Sequence, residues 1–235
     1  MTQPSPRPIR AFLFDLDGTL VDNMRLHYIV WSEYLTAHDV RVDPDAFRRR
    51  TAGMTNPEIL RLAFGQQITA QEIDAHAAAK EVRYREMARA VFRPMPGLID
   101  FLTQARAGGT RLALATAAPR ENVDFSLDIL GVREFFHAQV CADDLTRGKP
   151  DPQTFLLAAE RLGVQPEECL VFEDSDAGMQ AAANAGMPVI ALTTGMTAEQ
   201  ALAYSHVRMA VPDYTTLDYS AILRYSNHTE RPDPG

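Results

Sequence analysis

The sequence predicts an α/β fold, with a Rossmann-like core of parallel strands and an inserted α-helical domain after the first strand. Short, almost wholly apolar segments recur along the chain, and a helical pattern follows each one. This alternation is typical of a parallel sheet that helices cover on both faces. Residues 23–92 interrupt the alternation with consecutive helical patterns. The chain of 235 residues is about 1.6 times a domain of roughly 150 residues, which leaves room for an insert.

Five segments have strand character, and polar residues follow most of them. They cover residues 11–14, 111–115, 138–141, 170–172 and 188–192. In open parallel sheets, ligands bind beyond the carboxyl ends of the strands. The residues after these segments, which include Asp15, Thr116, Glu173 and Asp174, are therefore expected to converge on one site.

The inserted segment has apolar side chains at helical spacing. They indicate helices over residues 24–37, 57–64 and 70–91, and the apolar positions of the last are Ile73, Val82, Met87 and Val91. The sequence at residues 95–97, Met-Pro-Gly, marks the return to the sheet. We therefore expect a helical domain over residues 23–92 and an α/β core formed by residues 1–22 and 93–235. The polar, proline-containing end, residues 226–235, is expected to be a disordered tail.

Composition and charge exclude several classes of function. There are 31 acidic and 23 basic residues, a net charge of −8, so we expect no nucleic-acid partner. No apolar run approaches the roughly 18 to 20 residues that span a bilayer, and the first ten residues lack the core of a signal peptide. We expect a soluble cytoplasmic protein with no membrane partner and with two buried thiols, Cys141 and Cys169. The oligomeric state is not indicated, and a monomer is compatible with the sequence.

Two carboxylates, Asp15 and Asp17, come directly after the first predicted strand, and Gly18 follows them. Carboxylates at a buried sheet edge are costly unless a cation compensates their charge. Mg²⁺ takes oxygen ligands and typically binds one or two protein carboxylates together with a phosphate oxygen. The alternative is structural, because aspartates at such a position also form Asx-turns or cap helices.

A second acidic pair, Glu173 and Asp174, follows the fourth predicted strand. On its own this segment could begin a helix, with Asp174 or Ser175 as the N-cap residue. Together with Asp15 and Asp17 it predicts a metal site.

Two further residues suit the binding of phosphate. Lys149, held between Gly148 and Pro150, is a point charge that could bind phosphate and reduce the repulsion between close carboxylates. Thr116 offers a hydroxyl at a strand end. Taken singly, a loop lysine is more often solvated, and a strand-end threonine is more often a capping residue.

In combination, these residues resemble the four motifs of the haloacid dehalogenase superfamily of phosphohydrolases. The motifs are residues 15–19 (Asp-Leu-Asp-Gly-Thr), Thr116, Lys149 with Pro150, and Glu173 with Asp174. The resemblance covers residues 9–194. The insert resembles the helical cap of the subfamily that includes beta-phosphoglucomutase and sugar phosphatases, in which His27 and Trp31 have counterparts. The segment from Leu162 to Asp174 also resembles bacterial fructose-1-phosphate phosphatases.

The resemblance implies a mechanism for the candidate residues. Asp15 would be the nucleophile that forms an aspartyl-phosphate, and Asp17 the general acid and base. Mg²⁺ would be bound by Asp15, the main-chain carbonyl of Asp17, Asp174 and Glu173, the last directly or through an intermediate ligand. Thr116 and Lys149 would stabilise the transferring phosphoryl group. The residues implied in binding a small phosphorylated metabolite are Thr116, Ala117, Lys149, His27 and Asn56.

Two relatives within this superfamily have to be distinguished. Asp17 favours phosphate-ester chemistry, because dehalogenases and phosphonatases lack this aspartate. A mutase cap grips a second phosphate with a lysine and an arginine, and an alignment on Gly53 puts Ala52 and Asn56 at these positions. We therefore expect a phosphatase rather than a sugar-phosphate mutase or a catalytically silent binding protein.

Two points stay open at this stage. The run of three arginines at residues 48–50 could substitute for the missing charges of the mutase cap if the alignment slips. His27 could contact the substrate or assist Asp17, or it could be a structural residue packed beside Trp31.

Overall fold

The computed structural model describes residues 8–51 and 54–224, with the side chains of residues 44, 45, 48 and 49 excepted. The predicted disordered tail, residues 226–235, and the pair Ala52 and Gly53 lie outside this range. The chain divides into two compact units. One, the core unit, runs through Asp22 and resumes at Arg93, and the other, the helical unit, spans Asn23–Phe92.

The core unit alternates strands and helices. Its strands are β1 (Ala11–Phe14), β2 (Arg111–Ala115), β3 (Ala138–Val140), β4 (Cys169–Glu173), β5 (Val189–Leu192) and β6 (Val207–Val211). Its α-helices are α5 (Leu98–Ala107), α6 (Arg120–Leu130), α7 (Gln153–Leu162), α8 (Asp176–Asn184), α9 (Ala198–Leu202) and α10 (Tyr219–Ile222). Single 3₁₀ turns cover Arg133–Phe135, Ala142–Asp144 and Pro166–Glu168. The α/β prediction is confirmed by this parallel sheet and its helices.

The strands form one parallel sheet in the order β3-β2-β1-β4-β5-β6. The first strand is therefore central. β2 and β3 lie on one side of it, and β4, β5 and β6 lie on the other. Phe14 pairs in register with Leu114 on β2 and with Phe172 on β4. Because the strands are parallel, the residues that follow these three lie at one edge of the sheet. Binding sites in open α/β sheets are found at such an edge.

The strands are buried because both faces of the sheet are covered. On one face the Phe14 and Phe172 rings stack with centroids 4.5 Å apart, and Phe101 on α5 packs edge-on against both. Small and branched side chains form the other face, where Ala113, Val171 and their neighbours pack against buried residues of α7 and α8. Each fully buried phenylalanine stabilises the fold by about 1.5–3 kcal/mol. This packing fixes the ends of β1 and β4 relative to each other.

The helical unit contains α1 (Met24–Thr36), α2 (Pro44–Thr51), α3 (Asn56–Phe64) and α4 (Ala70–Val91). Its apolar core is formed by Trp31, Leu35, Phe47, Ile59, Leu60 and Ile73. Thr55 begins α3 and Thr69 begins α4, each in a capping box with the glutamate three residues later.

The buried face of α4 differs from the face that its apolar residues predict. Ile73 is buried, but Val82 and Val91 are exposed, and Lys80, Glu81 and Tyr84 are buried instead. A buried lysine and glutamate are uncommon unless they are paired. The periodicity of α4 indicates a helix correctly but not the side chains that it buries.

Among the described elements, β6 and α2 have no counterpart in the sequence-based prediction. In β6, only the end residues Val207 and Val211 are buried, so this edge strand lacks the apolar run of the central strands. In α2, Phe47 is a large buried side chain in a segment of mostly polar residues. None of the described helices is both long enough and apolar enough to cross a membrane. Cys141 and Cys169 are free, buried thiols, as predicted.

Candidate active site

Three buried carboxylates lie together at the carboxyl edge of the central strands. Asp15 follows β1, Glu173 ends β4 and Asp174 follows it. Each contributes one oxygen to a group in which all three atoms lie within 4.8 Å of one another. The juxtaposition follows from the register, since the amide of Asp15 donates to the carbonyl of Phe172 over 3.0 Å. Carboxylates at this separation form a candidate metal site.

Lys149 joins the group from the loop before α7. Its ammonium donates to Oδ1 of Asp15 over 2.6 Å and to Oε1 of Glu173 over 2.7 Å. Burial alone would lower the pKa of this ammonium, but Asp15 and Glu173 hold the pKa above its ordinary value. Lys149 therefore carries a permanent positive charge between the two acidic strand ends, and it is not the solvated loop lysine of the alternative interpretation.

One ammonium does not compensate three buried carboxylates. Burial raises the pKa of Asp15 to about 7, with the nearby Glu173 and Asp17 acting in the same direction. Burial also raises the pKa of Asp174, again together with neighbouring carboxylates. Both shifts express the cost of holding negative charges close together away from water. A divalent cation would remove that cost, so the oxygen ligands and their surplus of charge suit such an ion.

Glu173 is oriented by the beginning of α8. Its Oε2 accepts hydrogen bonds from the amides of Asp174 and Ser175, over 2.6 and 2.7 Å. Ser175 is the N-cap residue of α8 and accepts from the amide of Gly178. The segment therefore caps a helix, as one interpretation predicts, and it also carries two members of the acidic group; that this group binds a metal stays a prediction.

Asp17 and Gly18 form the turn that leaves β1. Asp17 is half-buried, and Gly18 has a φ of +77°, a conformation that side chains with a Cβ rarely adopt. The amide of Gly18 donates to the carbonyl of Val21 over 2.8 Å and closes the turn. Asp17 therefore lies two residues beyond the nucleophile candidate, with more access to water than Asp15.

Thr116 directly follows β2, the neighbouring strand of the same sheet. Its main-chain amide donates to the carbonyl of Val140, and its hydroxyl accepts from the amide of Ala118 over 3.1 Å. Thr116 is buried whereas Ala117, the next residue, is exposed. The hydroxyl thus has a capping role at the strand end and keeps its proton to donate.

The two remaining predicted residues, His27 and Asn56, belong to the helical unit. Asn56 donates to Oε1 of Glu81 over 2.8 Å, and Lys80 donates to the same oxygen over 2.8 Å. The Lys80 ammonium also lies 3.1 Å from Nδ1 of His27, whose ring stacks on Tyr84 with centroids 4.0 Å apart. His27 thus packs on Tyr84. Neither Lys80 nor Glu81 is predicted from the sequence, because polar residues within a helical pattern usually form its solvated face.

Thr194 is a further residue at the site that was missed. It lies two residues beyond β5, and its hydroxyl contacts both the carbonyl of Gly18 and Oδ2 of Asp174. The signal was available, since β5 is the strand beside β4 and polar residues at the other strand ends were recognised. The predicted strand covers residues 188–192, and Thr193 and Thr194 follow it directly.

Comparisons with known proteins agree with this architecture. The family of haloacid dehalogenase-like hydrolases matches residues 9–186. The fructose-1-phosphate phosphatase YqaB of Escherichia coli is 35% identical over 183 residues, covering 77% of this chain and 94% of that protein. The beta-phosphoglucomutase of Bacillus subtilis is 31% identical over 197 residues, covering 80% and 84%. The crystal structure of a family IA, variant 3 hydrolase from Entamoeba histolytica superposes with a TM-score of 0.86 at 25% identity, covering 92% of this chain and 98% of that one.

The family model and both relatives each cover most of the chain. The residues that the family model matches contain all four motifs on which the resemblance rests. The chain therefore belongs to the haloacid dehalogenase-like hydrolases of family IA, among the relatives of beta-phosphoglucomutase and the sugar phosphatases, and it is an enzyme of the phosphatase type.

Proposed function

We propose that this enzyme is a Mg²⁺-dependent phosphomonoesterase that acts on a small phosphorylated metabolite, a sugar or polyol phosphate. The observation that carries the proposal is the group formed by Asp15, Glu173, Asp174 and Lys149 at the carboxyl edge of the sheet. It combines a carboxylate nucleophile, a place for a cation and a fixed positive charge. A phosphate ester needs all three.

The chemistry proceeds in two displacements at phosphorus. In the first, an oxygen of Asp15 bonds to phosphorus while the bond to the ester oxygen breaks, and the leaving alkoxide takes a proton from Asp17. In the second, Asp17, now a carboxylate, removes a proton from water. The resulting hydroxide attacks the phosphorus of the aspartyl-phosphate, so that Asp15 leaves as a carboxylate and inorganic phosphate is released. Asp17 suits the proton transfers because it is half-buried and has access to water.

The charges around the phosphoryl group come from three sources. Asp15, Glu173, Asp174 and the carbonyl of Asp17 would hold Mg²⁺, which when bound supplies positive charge to the phosphate oxygens. Lys149 contributes a permanent ammonium charge, and Thr116 contributes a hydroxyl donor. Such fixed charges stabilise the transferring group without reorganisation during the reaction.

The substrate class is supported by the relatives and by the helical unit. One similar protein is a fructose-1-phosphate phosphatase. Lys80, a buried cation of the helical unit, is already paired with Glu81 at 2.8 Å and so brings no net charge to a second phosphate. We propose that His27, Asn56 and Ala117 bind the metabolite through hydrogen bonds of the kind that sugar hydroxyls make. A monophosphate is the substrate that this supports.

The test is the variant Asp15→Asn, assayed with p-nitrophenyl phosphate and with a panel of about 80 sugar and polyol phosphates. We expect the wild type to release phosphate only when Mg²⁺ is present and the variant to lose turnover while its circular dichroism spectrum is retained. The matched control is Asp100→Asn, because Asp100 is exposed on α5. Turnover by Asp15→Asn at the level of the control would exclude the proposal, and so would an inactive wild type.

A mutase is the second candidate, favoured by the 31% identity to a beta-phosphoglucomutase. The two functions separate on one substrate, beta-glucose 1-phosphate with a trace of the bisphosphate. We expect inorganic phosphate as the product. Glucose 6-phosphate would identify a mutase instead.

A further inference from the structure

We propose that Thr194 is a positioning residue for Asp174: its hydroxyl and the two glycines Gly18 and Gly195 hold the Asp174 carboxylate in the orientation that binds a divalent cation. The inference deepens the proposed function and rests on it, since it concerns the same metal site. Thr194 belongs to none of the four motifs that identify the family.

The hydroxyl of Thr194 lies between two parts of the site. Its Oγ1 is 3.1 Å from Oδ2 of Asp174 and 2.5 Å from the carbonyl oxygen of Gly18. The topology brings them together, because Thr194 follows β5, Asp174 follows the adjacent β4, and Gly18 lies in the turn after β1. The hydroxyl has one proton, which these two acceptors share, and it thereby connects the turn that carries Asp17 to the carboxylate of Asp174.

The Asp174 carboxylate is confined on two sides by backbone that carries no side chain. A Cβ placed on Gly18 would lie 1.9 Å from Oδ2 of Asp174, and a Cβ on Gly195 would lie 2.6 Å from the same atom. Both distances are far below any van der Waals contact. The carboxylate thus fills a cradle that any residue other than glycine would close.

Lys149, the cationic side chain of the site, does not orient the Asp174 carboxylate by a hydrogen bond. Lys149 donates to Asp15 and Glu173, and Oε2 of Glu173 is occupied by the amides that follow it. Within residues 8–51 and 54–224, the hydrogen bond that reaches a side-chain oxygen of Asp174 comes from Thr194. Removing it leaves the carboxylate in place but free to turn within the cradle.

Partners of metal ligands contribute measurably to affinity. Substituting such a partner commonly weakens metal binding or activity by about 10–100-fold, because the ligand loses its preferred orientation. A hydroxyl that only stabilised the fold would lower thermal stability without a selective effect on the metal. Metal affinity measured apart from catalysis therefore distinguishes the two roles.

The experiment measures Mg²⁺ binding by isothermal titration calorimetry, without substrate, on the wild type and four variants. Thr194→Val keeps the shape and removes the hydroxyl, Thr194→Ala removes hydroxyl and methyl, and Thr194→Ser retains the hydroxyl. Thr193→Val is the matched control, because the Thr193 hydroxyl bonds the carbonyl of Val211 instead. Thermal unfolding in EDTA is recorded for each.

We expect the Kd for Mg²⁺ to rise by about 10-fold or more in Thr194→Val and Thr194→Ala, and to stay within about threefold in Thr194→Ser and Thr193→Val. With p-nitrophenyl phosphate, the Mg²⁺ concentration for half-maximal activity should rise in parallel, while kcat at saturating Mg²⁺ falls less.

Wild-type affinity in both the valine and alanine variants would overturn the inference. Equal weakening in Thr193→Val would overturn it too, as would a wild type that binds no Mg²⁺. If the wild type binds Mg²⁺ but releases no phosphate, the proposed function fails while the affinities still decide the role of Thr194.

Discussion

Lys149 and Asp15 form a buried ion pair with 2.6 Å between Nζ and Oδ1, although 134 residues separate them along the chain. The same ammonium contacts Glu173 at 2.7 Å. The pair therefore connects the ends of β1 and β4 to the loop before α7. Lys149 offsets part of the repulsion between two carboxylates that the fold places side by side.

Removing this ammonium should destabilise the enzyme as well as inactivate it. Truncating one partner of a buried ion pair costs about 3–5 kcal/mol, because the other charge stays buried and uncompensated. We expect Lys149→Ala to lower the free energy of unfolding by an amount in this range, measured by urea denaturation in EDTA, and to abolish turnover of p-nitrophenyl phosphate.

The nearby Arg147 offers a control for Lys149. Its ion pair with Asp151 is at the surface, with 71% of the arginine side chain exposed. Arg147→Ala should therefore change the free energy of unfolding by no more than about 0.5 kcal/mol. An unfolding midpoint of Lys149→Ala equal to that of Arg147→Ala would show that the buried pair adds nothing to stability.

The sequence predicts the central strands well because burial on both faces leaves only apolar residues there. The bounds of β1 and β2 coincide with the apolar runs at residues 11–14 and 111–115. β6 has no such run, because an edge strand needs to bury only part of its length, and here Arg208 and Met209 are half-exposed. Edge position is a property of the assembled sheet, and the local pattern does not contain it.

The site could be predicted as far as it follows from strand ends. Asp15, Glu173 and Asp174 are predicted to lie together because parallel strands end at one edge, and the structure places their oxygens together. The contacts of Lys149 with two of them depend on how its loop folds. The neighbouring Gly148 and Pro150 indicate a loop but not which residues the ammonium contacts. The pairing of Lys80 with Glu81 depends on tertiary packing in the helical unit, and no local pattern indicates it.

His206, which lies outside the site, should make the free energy of unfolding depend on pH. Burial lowers the pKa of its imidazole below the ordinary 6.5, and the nearby Arg208 acts in the same direction, although a hydrogen bond to the carbonyl of Met179 opposes them. Below about pH 6.5 the unfolded chain takes up this proton before the folded chain does. The free energy of unfolding should therefore fall as the pH drops through this range.

The comparison for this prediction is His206→Gln, which offers an amide N–H donor in place of the ring N–H and has no titrating group. As the pH falls from 7.5 to 5.5, we expect the free energy of unfolding of the wild type to fall more than that of the variant. The imidazole signal that is present in the NMR spectrum of the wild type and absent from that of the variant belongs to His206. Its chemical shift, followed against pH, gives the midpoint of the titration. A midpoint at or above 6.5 for that signal would contradict the prediction.

Gly178 should resist a substitution that normally stabilises helices. Alanine exceeds glycine by about 1 kcal/mol in helix propensity, and Gly178 lies within α8. Its Cβ would, however, lie 1.7 Å from Oε1 of Glu173. Because the Glu173 carboxylate is held by Lys149 and by two amides, we expect Gly178→Ala to destabilise by about 1–3 kcal/mol, as overpacking does.

Gly148→Ala is the matched control for Gly178, because a Cβ at Gly148 would meet nothing within 4 Å. Thermal unfolding of both variants decides the outcome. A melting temperature of Gly178→Ala equal to or above that of Gly148→Ala would mean that Glu173 moves aside at little cost, and the rigid placement of its carboxylate would have to be abandoned.

Asp17 predicts a dependence of the reaction on the leaving group. A sugar alkoxide is strongly basic and needs a proton from Asp17, whereas p-nitrophenolate leaves without one. In Asp17→Asn the kcat for a sugar phosphate should fall by about 10²–10⁴-fold, the usual contribution of a general acid or base. With p-nitrophenyl phosphate the first displacement should survive, but the second also needs Asp17 as its base. Stopped-flow absorbance should then show a burst of about one equivalent of nitrophenol followed by slow turnover, because the phosphorylated Asp15 accumulates.

The exposed Asp22 supplies the control variant, Asp22→Asn, which should turn over both esters without a burst. Equal losses of kcat for the two esters, with no burst, would assign Asp17 a role other than proton transfer.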